Sequence, residues 1–140
     1  MDATRVEQIM SRSVLSVDED ATVTLGKLSM DVAMVRHLPV TDARGRLVGI
    51  VALSDLLHAL ARAGEGPVSV RSVMTKDVVT IGRKAFAYDA ARTMLEHKVG
   101  CLPVLGEGRR VEGIVTEADF VRIAESALRK AAADGHGTHS

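Results

Sequence analysis

The chain has 140 residues, 46% of them apolar, with 18 basic and 18 acidic side chains that cancel to zero net charge. That length holds one domain or two small units sharing a core, and the apolar content excludes wholesale disorder. Zero net charge, with Phe86, Tyr88 and Phe120 as the only aromatics, leaves neither a basic surface nor a stacking platform for nucleic acid, and a single cysteine, Cys101, excludes an internal disulfide.

In chain order, a short segment ends at Ile9-Met10, and a β-rich stretch follows over residues 14–17. Ala21, Leu25, Leu28, Ser29 and Val32 then recur at helical spacing. Thr22, Val23, Thr24 and Gly26 give this helix weak intrinsic propensity, so packing must support it. Residues 38–41 and 46–52 read as a β-hairpin turned by Asp42-Ala43-Arg44-Gly45, and a helix begins near Ser54 and runs to about Arg62. Paired glycines and Pro67 mark a connector over residues 64–69.

The same order then returns. Val73-Met74 leads to a β-rich stretch at 78–81, a helical pattern through Ala87, Ala90, Ala91, Met94 and Leu95, a hairpin turned at 106–109, and a helix from about Ala118 to about Ala133. Residues 6–57 overlie 70–121 without a gap, with identities that include Val6/Val70, Met10/Met74, Pro39/Pro103, Gly49/Gly113 and Asp55/Asp119. A constant register over that length marks a tandem repeat. The predicted fold class is α/β (α+β): two β-α-β-β-α units, related by an approximate twofold and packed through small mixed sheets. The predicted boundaries are 1–63 and 70–133, with 134–140 expected to fray. Each unit alone is too short to bury much surface.

Leu38-Pro39-Val40, Gly49-Ile50-Val51 and Asp55 recur as Leu102-Pro103-Val104, Gly113-Ile114-Val115 and Asp119, each set preceded by a leading Met. This pattern resembles the CBS domain, and two in tandem resemble a Bateman module, a sensor of adenosine-containing ligands. The likeness spans roughly residues 3–130.

Asp55 and Asp119 stand at strand-to-helix corners, where the free amides and dipole of a helix N-terminus favour a carboxylate with or without a ligand. The resemblance implies a second role: the two oxygens of this Asp accept hydrogen bonds from a ribose diol, in AMP, ADP, ATP or S-adenosylmethionine. Thr116, three residues before Asp119, supplies the hydroxyl of the family pattern, whereas Ala52 does not; Ser54 is the alternative hydroxyl there. The better-formed site is therefore expected at Asp119. By the same resemblance, Arg36 and His37 face the ligand's phosphates, Ser11 and Thr75 offer hydroxyls, and Leu15 and Val79 meet the adenine. Arg36 is equally explained as a solvated charge at a helix end.

His136 and His139 have metal-compatible spacing but no third partner nearby, and Cys101 reads as a small buried residue. No nucleophile–base arrangement completes a catalytic site, so a non-enzymatic role is expected. The resemblance implies a homodimer formed through the two outer helices and an effector protein acted on in trans. The alternative is an interaction protein with vestigial clefts. The opening Met-Asp-Ala-Thr carries no secretory pattern, and no apolar run approaches the roughly 18–20 residues of a membrane span, so a cytoplasmic location is expected.

Overall fold

A computed structural model describes residues 4–62, 64 and 66–138. The first unit contains α1 (Val6–Ile9), β1 (Val17–Asp18), α2 (Val23–Ala33), β2 (His37–Thr41), β3 (Leu47–Ala52) and α3 (Leu53–Arg62). The second contains β4 (Ile81–Gly82), α4 (Ala87–His97), β5 (Cys101–Leu105), β6 (Val111–Thr116) and α5 (Glu117–Thr138), with a 3-10 turn at Val70–Ser72 where the first unit has α1. Each unit builds a three-stranded mixed sheet, in the orders β1-β2-β3 and β4-β5-β6. The first strand of each sheet runs parallel to the second, and the second and third form the antiparallel hairpin. Pro39 pairs with Ile50 and Pro103 with Ile114, and an irregularity falls at the same place in both hairpins, Val40/Thr41 and Val104/Leu105. The repeat read from the sequence is therefore a repeat of register and of bulge.

The β-rich stretches shrink to two ladder residues each. Val14, Leu15, Val78 and Val79 form no ladder; their side chains line clefts between the units. The weak helix α2 is held by a Thr22 Oγ1 cap on the Leu25 amide at 3.2 Å and by burial of Val23 and Met30, whereas Leu25, Leu28 and Val32 of the predicted helical pattern are exposed. Helix α5 runs on to Thr138, past the end predicted near Ala133. Alanines 131–133, the best helix formers and themselves exposed, carry it forward. His139 and the side chain of His136 lie outside the described residues, so their pairing does too. No described helix is long and apolar enough to cross a membrane.

The two cores are not built from consecutive sequence. One gathers Val17, Val23, Met30, Leu38, Val40, Val51 and Leu56 of the first unit around Val70 of the second, with Val73 and Met74 packed against it. The other gathers Ala90, Met94, Leu102, Val104 and Val115 of the second unit around Val6 and Met10 of the first. The leading arms thus cross, each completing the opposite core. Backbone hydrogen bonds fix the exchange in matched pairs: Val6 N–H to Ala85 O and Val70 N–H to Ala21 O, both 2.8 Å. Ser11 and Ile114 exchange two such bonds, as do Thr75 and Ile50. Burying Val6 and Val70 completely is worth roughly 1.5–3 kcal/mol each, an energy that neither unit gains alone.

The crossing also explains the shared Met and Gly. A Cβ at Gly49 would lie 2.5 Å from Met74 Sδ, and one at Gly113 would lie 2.5 Å from Met10 Sδ. Each arm presses its methionine onto the hairpin of the other unit, where only glycine leaves room.

Candidate functional site

Each hairpin ends at a corner where its last strand turns directly into a helix. At the first corner, Asp55 is the third residue of α3, and its Oδ2 accepts the amide of Ala52 at 3.0 Å. At the second, Asp119 is the third residue of α5, and its Oδ2 accepts the amide of Thr116 at 2.8 Å and the Thr116 hydroxyl at 3.3 Å. Both carboxylates therefore satisfy an amide at a helix start, as one side of a capping box does. The first helical amide of each helix is held from the hairpin's other strand side: Leu53 N–H donates to Arg36 O at 2.8 Å and Glu117 N–H to Gly100 O at 3.1 Å. The corners are thus rigidly tied before any ligand is considered.

Beyond the caps the corners differ. Asp119 Oδ1 is held by Arg122 Nη2 at 2.6 Å, across an i,i+3 pair on α5. At Asp55, Oδ1 has no hydrogen-bond partner among the described residues, and His58 stands where the repeat places Arg122. The threonine corner, expected to be the better site, is the one whose second oxygen is already engaged.

The crossed arms bring each corner against the other unit. A cleft of about 240 Å³ sets Asp55, Ala52 and Ile50 against Thr75 and Val79 of the second arm. Asp77, Val78 and the segment Lys98–Cys101 complete its wall. A second cleft of about 340 Å³ sets Asp119, Thr116 and Ile114 against Ser11 and Leu15 of the first arm, with Ser13, Val35 and Arg122 around them. These volumes sit near the lower end of the range for small-molecule sites. The arm–corner pairing, open from the sequence, is therefore reciprocal: each cleft takes its carboxylate from one unit and its arm from the other.

His37 lines both clefts. Burial lowers its pKa below the ordinary histidine value, with Arg36 acting the same way, while the carboxylates of Glu117 and Asp55 pull against them. Arg36 enters neither cleft. Its side chain borders an adjoining surface depression with Ser54 and Leu57 that meets the Asp55 cleft at His37 and Ala52. Ser54 consequently does not supply the hydroxyl missing at Ala52. Cys101 is buried, and desolvation, with Asp119 adding to it, pushes its thiol up to about 12. Such a thiol is protonated and unreactive at neutral pH.

Three charged side chains at the clefts escaped the sequence reading: Asp77, Lys98 and Arg122. Arg122 had a usable signal, three residues beyond Asp119 on the same helical face. Asp77 had one in its repeat position, which overlies Ser13 beside Ser11. Lys98 had none. It occupies a left-handed backbone position, φ 55°, just past α4, and only the fold turns it to the cleft. Among the described residues, no group of three or more His, Cys, Asp or Glu side chains is placed to hold a metal ion.

Comparison with known proteins bears on the whole chain. The family model described as "CBS domain" matches twice, over residues 6–62 and 70–126. A CBS domain-containing protein of Dictyostelium discoideum is 32% identical, over 83% of this chain and 88% of that protein. The chain also matches a homoserine O-acetyltransferase of Methanococcoides burtonii, 33% identical over 86% of this chain, but spans only 24% of that enzyme's length. Among solved structures, the CBS domain pair of protein MJ0100, in complex with 5'-methylthioadenosine and S-adenosyl-L-methionine, superposes with a TM-score of 0.82. It is 27% identical and is covered to 99%, against 90% of this chain. CBSX2 in complex with AMP gives a TM-score of 0.76 at 28% identity, covering 89% of this chain and 98% of that one. With two matched repeats, reciprocal clefts and the same fold as these pairs, the chain belongs to the CBS domain family, as a tandem pair.

Proposed function

We propose that this CBS pair senses an adenosine-containing ligand, AMP, ADP, ATP or S-adenosylmethionine, and reports its presence to a partner protein in trans. The carrying observation is the reciprocal construction of the clefts. A ligand whose ribose meets Asp55 or Asp119 also touches the arm of the other unit, so occupancy favours one relative arrangement of the two units. The complexes of related pairs with AMP, 5'-methylthioadenosine and S-adenosyl-L-methionine support the ligand class. In this reading Thr75 and Val79 act with Asp55, and Ser11, Leu15 and Thr116 with Asp119, while His37 serves both sites. Arg36 contributes only to a ligand long enough to reach the adjoining depression. The signal is bounded by the ligand's differential affinity for the two arrangements, typically about 1–3 kcal/mol.

The protein works as a cytoplasmic homodimer in this proposal. Leu57 on α3 and Val121 and Leu128 on α5 are exposed apolar side chains on the two outer helices, and a second copy would cover them.

Calorimetric titration of the four ligands into the wild type, Asp55→Ala, Asp119→Ala and the double variant tests the assignment. Each single variant is expected to lose one site and the double variant both. Binding that survives in the double variant, or no binding of any ligand to the wild type, rejects it.

A second reading has one observation in its favour. Arg122 occupies an Asp119 oxygen that a ribose would need, as befits an interaction module whose clefts are empty by design. Thermal melting separates the two, because a true ligand at 100 times its dissociation constant adds about 2.7 kcal/mol of stability.

A further inference from the structure

The two carboxylates begin from different states. Asp55 presents Oδ1 with no partner among the described residues, whereas Asp119 presents Oδ1 held at 2.6 Å by the Arg122 guanidinium. A ribose diol needs both oxygens of a carboxylate, or one oxygen and a neighbour. At Asp55 it can bind without displacing anything. At Asp119 a diol that uses both oxygens meets Arg122 on Oδ1 and competes with its charge-assisted hydrogen bond for that oxygen. The Asp119 side chain is 13% exposed and that of Arg122 71% exposed, so the guanidinium reaches in from solvent and has room to swing away. Once released it remains at the mouth of the same cleft, a cation with a planar fork suited to phosphate.

We infer that Arg122 makes the Asp119 cleft selective for an anionic adenosine ligand over a neutral one, while the Asp55 cleft accepts either. A phosphate recovers the ion pair that the ribose breaks; a neutral nucleoside cannot. In the Asp55 cleft no cation is displaced, and the charges there, Asp77 and Lys98, oppose each other. The two sites of one chain therefore differ in ligand class although their folds repeat. This inference rests on the proposed function, since both require adenosine compounds to enter the clefts.

The test uses the full chain, with adenosine and AMP as calorimetric probes and a melting curve for each variant to verify folding. In an Asp55→Ala background, where the Asp119 cleft alone remains, AMP is expected to bind at least about tenfold more tightly than adenosine. Adding Arg122→Gln is expected to tighten adenosine and weaken AMP, bringing the ratio towards one; Arg122→Lys should keep most of the preference. In an Asp119→Ala background the ratio should be near one from the start and insensitive to Arg122→Gln. A merely structural Arg122 would shift both ligands in the same direction. An AMP preference that survives Arg122→Gln, or one that changes equally in the Asp119→Ala background, overturns this inference and leaves the proposed function standing. Failure of both probes in both backgrounds overturns this inference; the proposed function falls with it only if ADP, ATP and S-adenosylmethionine also fail to bind the wild type.

Discussion

Replacing Gly113 by alanine places a Cβ 2.5 Å from Met10 Sδ and 3.0 Å from the carbonyl oxygen of Ser11. Carbon and sulfur normally approach no closer than the sum of their radii, so the overlap exceeds an ångström. The Met10 side chain can turn away in part, but the Ser11 carbonyl is backbone. It is fixed by the paired bonds between Ser11 and Ile114, at 2.9 and 3.0 Å. Relief therefore requires the arm to lift, which disturbs a backbone pair and the burial of Met10. Overpacking of this kind costs about 1–3 kcal/mol, and about 2 kcal/mol is expected here, or roughly 6 °C in Tm. Urea denaturation followed by circular dichroism measures it. Gly82→Ala is the control, because a Cβ there meets nothing within 4 Å, and it should change stability by less than about 0.5 kcal/mol. Combining Gly113→Ala with Met10→Ala should cost at least about 1 kcal/mol less than the sum of the single changes, since the truncated side chain removes the sulfur contact, the shorter of the two, and leaves only the Ser11 carbonyl. Additivity of the pair, or a Gly113→Ala variant as stable as the wild type, would refute the crossing-arm account of the repeated Met and Gly.

Three further outcomes follow from the site. His37 has its pKa lowered chiefly by burial, so between that value and about 6.5 the unfolded chain binds the extra proton; His37's contribution to stability is complete above about pH 6.5 and is lost as pH falls through the folded value. Urea midpoints measured from about pH 7.5 down to about pH 5 should fall less steeply in His37→Gln than in the wild type, and identical slopes would assign the loss to other groups. Cys101, buried and pushed up to about 12, should react with an aromatic disulfide at about pH 8 only at the rate set by unfolding; reaction at the rate of a free thiol would contradict its burial. Asp119→Ala removes the 2.8 Å bond to the Thr116 amide and should cost about 1 kcal/mol in urea denaturation, so a loss above about 3 kcal/mol would mean that the carboxylate does more than cap α5.

The parts of this molecule that obey local rules were legible. The hairpins announced themselves through Pro39 and Pro103 between apolar residues and through their turns, and the corners through an Asp just inside each helix. The arm exchange was not legible, because a repeat with arms folded back and a repeat with arms crossed have the same residues at the same offset. Only the spatial pairing of Val6 with Ala85 and Val70 with Ala21 distinguishes them. The stretches at 14–17 and 78–81 carry the β-branched composition of strands, yet the first two residues of each face a cleft, and composition does not reveal which neighbour a strand lacks. At the site, the family pattern named Ser11, Leu15, Thr116 and Asp119 but left open which arm meets which corner, and it ranked the corners by a hydroxyl. The larger difference is an ion pair three residues further along α5, and helical spacing would have exposed it.

The exchanged arms also bear on where such a molecule comes from. A half-length chain ending near the connector would leave a hole in its own interior the size of Val70, and would carry a surplus Val6 with nowhere to go. Two copies of that half would answer each other's deficit, swapping ends about a symmetry axis as many small dimers do. The present chain holds both halves of such an exchange in one polypeptide, where the two corners need not be alike: one has an open oxygen and the other an arginine.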